Sequence, residues 1–86
     1  MYQERLEKLL EYDQEKGTQL FRTVEVYLEC MGNSRLAADR LFVHRNTLRQ
    51  RFDKIRQVSG VDLAEVDRWF DLMMALRIIR LRELSR

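Results

Sequence analysis

The residues best equipped for chemistry lie between Asn33 and Gly60, in NSRLAADRLFVHRNTLRQRFDKIRQVSG. From Ser34 to Arg56 this stretch carries Arg35, Arg40, Arg45, Arg49, Arg51, Lys54 and Arg56 against Asp39 and Asp53, a net of +5. The rest of the chain holds nine basic and twelve acidic residues, so the overall charge of +2 hides a strong polarity. A basic run is ordinarily a solvated helix face. Concentrated on one supersecondary unit beside an acidic remainder, it favours a surface for a polyanion. Arg45 falls in the first turn of a predicted helix. From there its guanidinium can extend toward base edges and match the two major-groove acceptors of guanine bidentately. Thr47, near the exposed N–H groups of the helix start, is suited equally to capping and to a phosphate contact, and those N–H groups themselves favour anions. His44 reads as a turn or capping residue rather than a ligand or pH switch.

To present these groups, the segment must fold as two short helices meeting at a tight corner. Leu36, Ala37, Leu41, Val43, Leu48, Phe52 and Ile55 follow helical spacing and let such a pair pack at an angle. Asn33 or Ser34 caps the first helix, which runs to about Leu41, and Ala37 and Ala38 permit the close approach a corner needs. The second helix spans about 44–58, with Leu48, Phe52 and Ile55 inward. Asn46, Gln50, Asp53 and Gln57 lie roughly opposite, with Arg49 and Lys54 on the flanks. Arg35, Arg51 and Lys54 stand at the edges, placed to grip phosphate. Phe42 occupies the corner position where such motifs favour Gly, so the turn is expected to be built differently or slightly wider.

The remaining pattern predicts an all-α domain of about five helices. There is no Pro, there are three Gly, and apolar spacings of three and four recur throughout. A first helix is expected over Gln3–Tyr12, ending before DQEKG. Thr18 is the expected cap of a second helix, whose stripe is Leu20, Val24, Tyr27, Leu28 and Met31, with Cys30 at its margin as a small core residue. A last helix, 67–84, has Asp67 as its cap and Trp69, Phe70, Leu72, Met73, Leu76 and Ile79 inward. A second apolar set, Met74, Ile78 and Leu81, lies nearly opposite, and two copies of this helix packed together, or else an upstream domain of a longer protein, would cover it.

Size and composition exclude several classes. With 86 residues the chain makes one domain with a single core. One cysteine precludes an internal disulfide, and with a single histidine leaves no cluster at metal-ligand spacing, so neither metal nor cofactor is expected. The longest apolar run is far below a membrane span, and MYQERLEKLL is charged and periodic rather than a signal sequence, from which a soluble, cytoplasmic protein is expected. Catalysis is not expected: the carboxylates are spread over exposed faces, with no histidine besides His44 and no phosphate-cradling Gly loop.

In four strings the chain resembles the C-terminal helix-turn-helix domain of PucR/CdaR-type bacterial transcriptional regulators: EYDQEKGTQL at 11–20, YLECMGN at 27–33, LFVHRNTLRQRFDKI at 41–55 and SGVDL at 59–63. Together they cover most of the chain in the family's order and spacing, and HRNTL after LFV is the specific part. More distantly, N-x-x-x-A-A-x-x-L from Asn33 followed by R-x-T-L from Arg45 is similar to the Fis-type corner. The resemblance implies one domain over 1–86 with its helix-turn-helix at 33–59, and places Arg45, Asn46, Thr47, Arg49 and Gln50 on the DNA-facing side. It also implies an upstream sensing region, leaving this chain as an excised piece or a stand-alone reader. The family often carries an aromatic residue where this chain has Gln50, so a relative's base preference does not transfer.

The function expected is sequence-specific binding of double-stranded DNA by a homodimer, with Arg45, Asn46, Arg49 and Gln50 reading bases and Arg35, His44, Thr47, Arg51 and Lys54 holding phosphate or capping. The rival is a helical interaction module working through the last helix. RNA is a weaker third reading, because no strand platform displays aromatics for stacking.

Overall fold

In a computed structural model of the chain, residues 2–65 and 69–84 are described. Their elements are α1 (Tyr2–Lys16), α2 (Leu20–Glu29), α3 (Ser34–Leu41), α4 (Arg45–Ser59), a 3-10 turn at Leu63–Glu65, and α5 (Trp69–Leu84). The all-α expectation holds among these residues. α1 packs on α5, α4 and α2, while α2 also supports α3 and α4, so α2 is the central post of the domain. Its sequence explains that position: Leu20, Phe21 and every residue from Thr23 to Leu28 are buried. Leu6 and Leu9 of α1, Leu48 and Ile55 of α4, and Leu72 and Ile79 of α5 close around it.

α1 runs four residues beyond the expected end at Tyr12. Gln14, Glu15 and Lys16 are good helix formers, so polarity did not stop the helix; Gly17 does, at φ 70, with its N–H donating to Asp13 O at 2.8 Å. Thr18 is not the cap of α2. The cap position is Gln19, which makes no side-chain capping bond. Instead the Asp13 carboxylate accepts from Leu20 N at 2.8 Å and Phe21 N at 2.9 Å, and from the Thr18 hydroxyl. A residue of α1 thus satisfies two of the free N–H groups at the start of α2 and ties the two helices together.

Three apolar positions depart from the expected core. Met31 leaves the α2 stripe because its backbone turns left-handed after the cap Cys30, and it stands 79% exposed. Leu36 is 46% exposed because α3 faces inward with Ala37, Ala38 and Leu41. Phe70 is 70% exposed: the buried line of α5 is Leu72, Ala75, Leu76 and Ile79, and two steps of about 100° carry Phe70 to the far side. Cys30 is buried, as expected. Asp67, the expected cap of the last helix, lies outside the described residues. Val61 and Leu63 also enter the core, after Ser59, whose hydroxyl donates to Ile55 O at 2.7 Å and accepts from Val61 N at 3.2 Å.

An ion-paired brace joins α2 to α5. Arg80 donates to both oxygens of Glu25, at 2.7 and 3.0 Å, and lies over the Phe21 ring, while Arg22 adds a third bond at 2.9 Å. Burial alone would push the Glu25 carboxyl up, but the bonds from Arg80 and Arg22 outweigh it and hold that carboxyl below the ordinary range.

Candidate nucleic-acid interface

The corner between α3 and α4 is assembled from local bonds. Asn33 Oδ1 accepts from Leu36 N at 3.0 Å, capping α3 as expected. Ala37 and Ala38 are fully enclosed, and their small side chains let α3 approach its neighbours closely. Phe42 ends α3 in the left-handed region at φ 57, ψ 42, with Phe42 N donating to Asp39 O at 3.2 Å and Val43 N to Ala38 O at 3.0 Å. The phenylalanine therefore adopts the conformation that glycine takes freely, at a cost of about 1 kcal/mol.

His44 then starts α4. It is extended, at φ −72, ψ 153, and its Nδ1 accepts from Asn46 N at 3.1 Å. That bond requires an unprotonated Nδ1, which leaves Nε2 outward as a donor on an exposed side chain. The cap of α4 is thus His44, and Thr47 is half-buried beside it. At its far end α4 closes on Gly60 at φ 78.

The inward side of α4 is as expected. Leu48 and Ile55 are buried, and Phe52 packs edge-on against Tyr27 with ring centroids 4.9 Å apart, while Tyr27 in turn meets Trp69. This wedge sets the roll of α4 on α2. Arg45, Asn46, Arg49 and Gln50 all fall on exposed surface as a result, with Arg35 exposed on α3. Two of the basic residues are partly engaged. Arg51 is half-buried, with Nη1 donating to the buried Thr23 hydroxyl at 3.1 Å. Lys54 reaches Gln57 Oε1 at 3.4 Å and lies over the Tyr12 ring.

Charge pairing distinguishes the arginines of the corner from several others, although Arg5 on α1, Arg51 on α4 and Arg77 on α5 also lack a carboxylate partner among the described residues. Arg22, Arg40, Arg56, Arg80 and Arg82 each have a carboxylate partner. Arg35, Arg45 and Arg49 have none among the described residues, so their charge is directed at solvent rather than neutralised within the fold. Neither a metal-binding cluster nor a helix long and apolar enough to cross a membrane occurs among the described residues. An open groove of about 610 Å³ lies between α1 and α5, lined by Tyr2, Gln3, Arg5, Asp71, Met74, Ala75 and Ile78 and by no residue of α4.

The PucR C-terminal helix-turn-helix domain matches residues 20–78, from the first residue of α2 to within α5. This chain belongs to that family. The PucR-type domain here is 32% identical over 68 residues to the proline-responsive transcriptional activator PutR of Bacillus subtilis (strain 168), covering 79% of this chain and 16% of that protein. It is 38% identical over 80 residues to the purine catabolism regulatory protein of the same organism, covering 93% of this chain and 15% of that protein. The DNA-binding transcriptional activator AdeR, also from that organism, matches at 30% over 77 residues, covering 90% of this chain and 18% of AdeR. The chain therefore spans less than a fifth of the length of these relatives. No solved structure matches it. As a PucR-type domain the chain is of the kind carried by DNA-binding transcriptional regulators, a family that is not typically enzymatic.

Proposed function

We propose that this domain binds double-stranded DNA sequence-specifically, with α4 in the major groove, as the reading part of a bacterial transcriptional regulator acting in the cytoplasm. One observation carries the reading: Arg45 and Arg49 stand exposed and without a carboxylate partner on the same helix, beside Asn46 and Gln50, whereas Arg22 of α2 and Arg80 and Arg82 of α5 are paired with carboxylates. In this reading Arg45, Asn46, Arg49 and Gln50 meet base edges, each good bidentate pair contributing about 1–3 kcal/mol of discrimination. Arg35, Lys54 and Thr47 hold phosphate, joined by the outward Nε2 of His44 and by the N–H groups of Arg51 that Thr23 does not engage. That grip sets overall affinity and its salt dependence. The three relatives, named as transcriptional activators or as a catabolic regulator, support the same assignment.

The working unit in this reading is a homodimer joined through α5, with an upstream sensory domain as a further partner. Met74 and Ile78 line the α1–α5 groove and Leu81 continues their side of the helix. Arg5 and Asp71 border the same groove, so a twofold contact can set the cation of one copy against the anion of the other. Selection of duplexes from a random pool by this chain tests the proposal: a recurrent consensus supports it, and an unenriched pool refutes it.

A further inference from the structure

Phe42 has no part in the roles described above. Its ring is 95% exposed, more than any other large apolar side chain among the described residues, and its backbone sits at φ 57, where a β-carbon is penalised. The fold is therefore served better by Gly or Asn at this position than by the residue present. A strained, bulky, solvent-facing residue points to use by something outside the fold.

Position and charge indicate what that is. Phe42 lies two residues before the cap His44 and three before Arg45, so its backbone is within about 11 Å of the proposed base reader. The corner bonds from Phe42 N and Val43 N hold the turn in place. The charge of the corner is net cationic: Arg35, Arg45 and Arg49, none of them paired to a carboxylate among the described residues, outnumber the exposed Asp39 whose backbone carbonyl accepts from Phe42 N. An apolar ring in that setting suits the C–H surface of a polyanion rather than an apolar protein partner.

We propose that Phe42 is a DNA-contacting residue whose ring packs on the C–H surface of the duplex, a deoxyribose or a thymine methyl, at the edge of the groove that α4 enters. This rests on the DNA-binding reading above. The contact adds apolar area to an interface that is otherwise polar and ionic, so its loss lowers affinity without removing a phosphate contact.

Phe42→Gly and Phe42→Asn test it, on duplexes recovered by the wild-type chain. Both variants should melt at or above the wild-type temperature, bind about five- to tenfold more weakly, and keep the wild-type slope of log affinity against log salt. Deoxyuridine in place of each thymidine separates the two contacts: weaker wild-type binding identifies a thymine methyl, and unchanged binding the sugar. Undiminished binding by both variants would overturn the proposal, as would lower melting temperatures in both, since the ring would then be serving the fold. A wild-type chain that binds no duplex at all is a separate result, which removes the DNA reading and this contact with it.

Discussion

At the scale of single residues, two kinds of contact are assigned by position on α4 in the proposed DNA reading. Arg45 is exposed in the first turn, at the helix tip, whereas Lys54 lies two turns later beside Gln57 and the Tyr12 ring. Arg45→Ala should therefore relax preference at one or two base pairs, with a cost of about 1–3 kcal/mol on the preferred duplex. Lys54→Ala should weaken all duplexes alike and reduce the salt slope by about one. Duplex selection repeated with each variant checks this, and a parental consensus recovered at full strength by the Arg45 variant would sink the assignment. The exposed set was legible in the sequence, because Leu48, Phe52 and Ile55 define the inward side and the 100° step does the rest. The capping of α4 by His44 was legible as well. Asp13 as the cap of α2 was not: its bonds span seven and eight residues and depend on how α1 and α2 meet, which no local pattern encodes.

At the scale of helices, what holds α4 outward is the bracing behind it. α2 carries that load, through Tyr27 against Phe52, Thr23 against Arg51, and Glu25 against Arg80 and Arg22. Glu25 and Arg80 are 55 residues apart, so their pairing was invisible in the sequence, where both read as ordinary surface charges. Because the folded-state carboxyl of Glu25 titrates below its unfolded value, its contribution is fully present above about pH 4.3 and is lost as pH falls through the folded value. Arg80→Met should cost about 1–2 kcal/mol, a figure discounted for a guanidinium side chain that is 42% exposed. It should also shift acid unfolding to higher pH, since burial then acts on Glu25 with only Arg22 opposing it. Urea denaturation at pH 7 and pH 4 reads both effects; equal losses of stability at the two pH values would contradict the coupling. The ends of α1 and the exposures of Leu36 and Phe70 show the same limit from the apolar side. Periodicity identifies a helix, but which of two plausible faces turns inward depends on neighbours such as Val61 and Leu63, which enter the core from an irregular segment.

At the scale of the whole domain, the principal-axis extents are 32 × 28 × 23 Å, comparable to the spacing of about 34 Å between successive half-sites on one face of B-form DNA. In the proposed reading one copy meets one half-site, and an operator with twofold symmetry would need two. The apolar side of α5 with Met74 and Ile78, together with the oppositely charged Arg5 and Asp71, is the surface available for that pairing. Ile78→Glu should leave the fold within about 0.5 kcal/mol of wild type, because the position is already half-exposed, while making the chain monomeric and weakening binding to two-half-site duplexes. Sedimentation velocity on wild type and variant checks the first part, and a wild-type chain that sediments as a monomer at high concentration would contradict it.

Sequence-specific function requires α4 to distinguish one duplex sequence from another. In vitro selection from a random duplex pool by the wild-type chain measures that directly, with the bound stoichiometry read from the same complexes. A recurrent half-site is expected in the enriched pool, retained less well as salt rises. A pool that stays random through successive rounds, with no salt-sensitive retention, would contradict it and leave the exposed arginines of α4 as solvated surface alone.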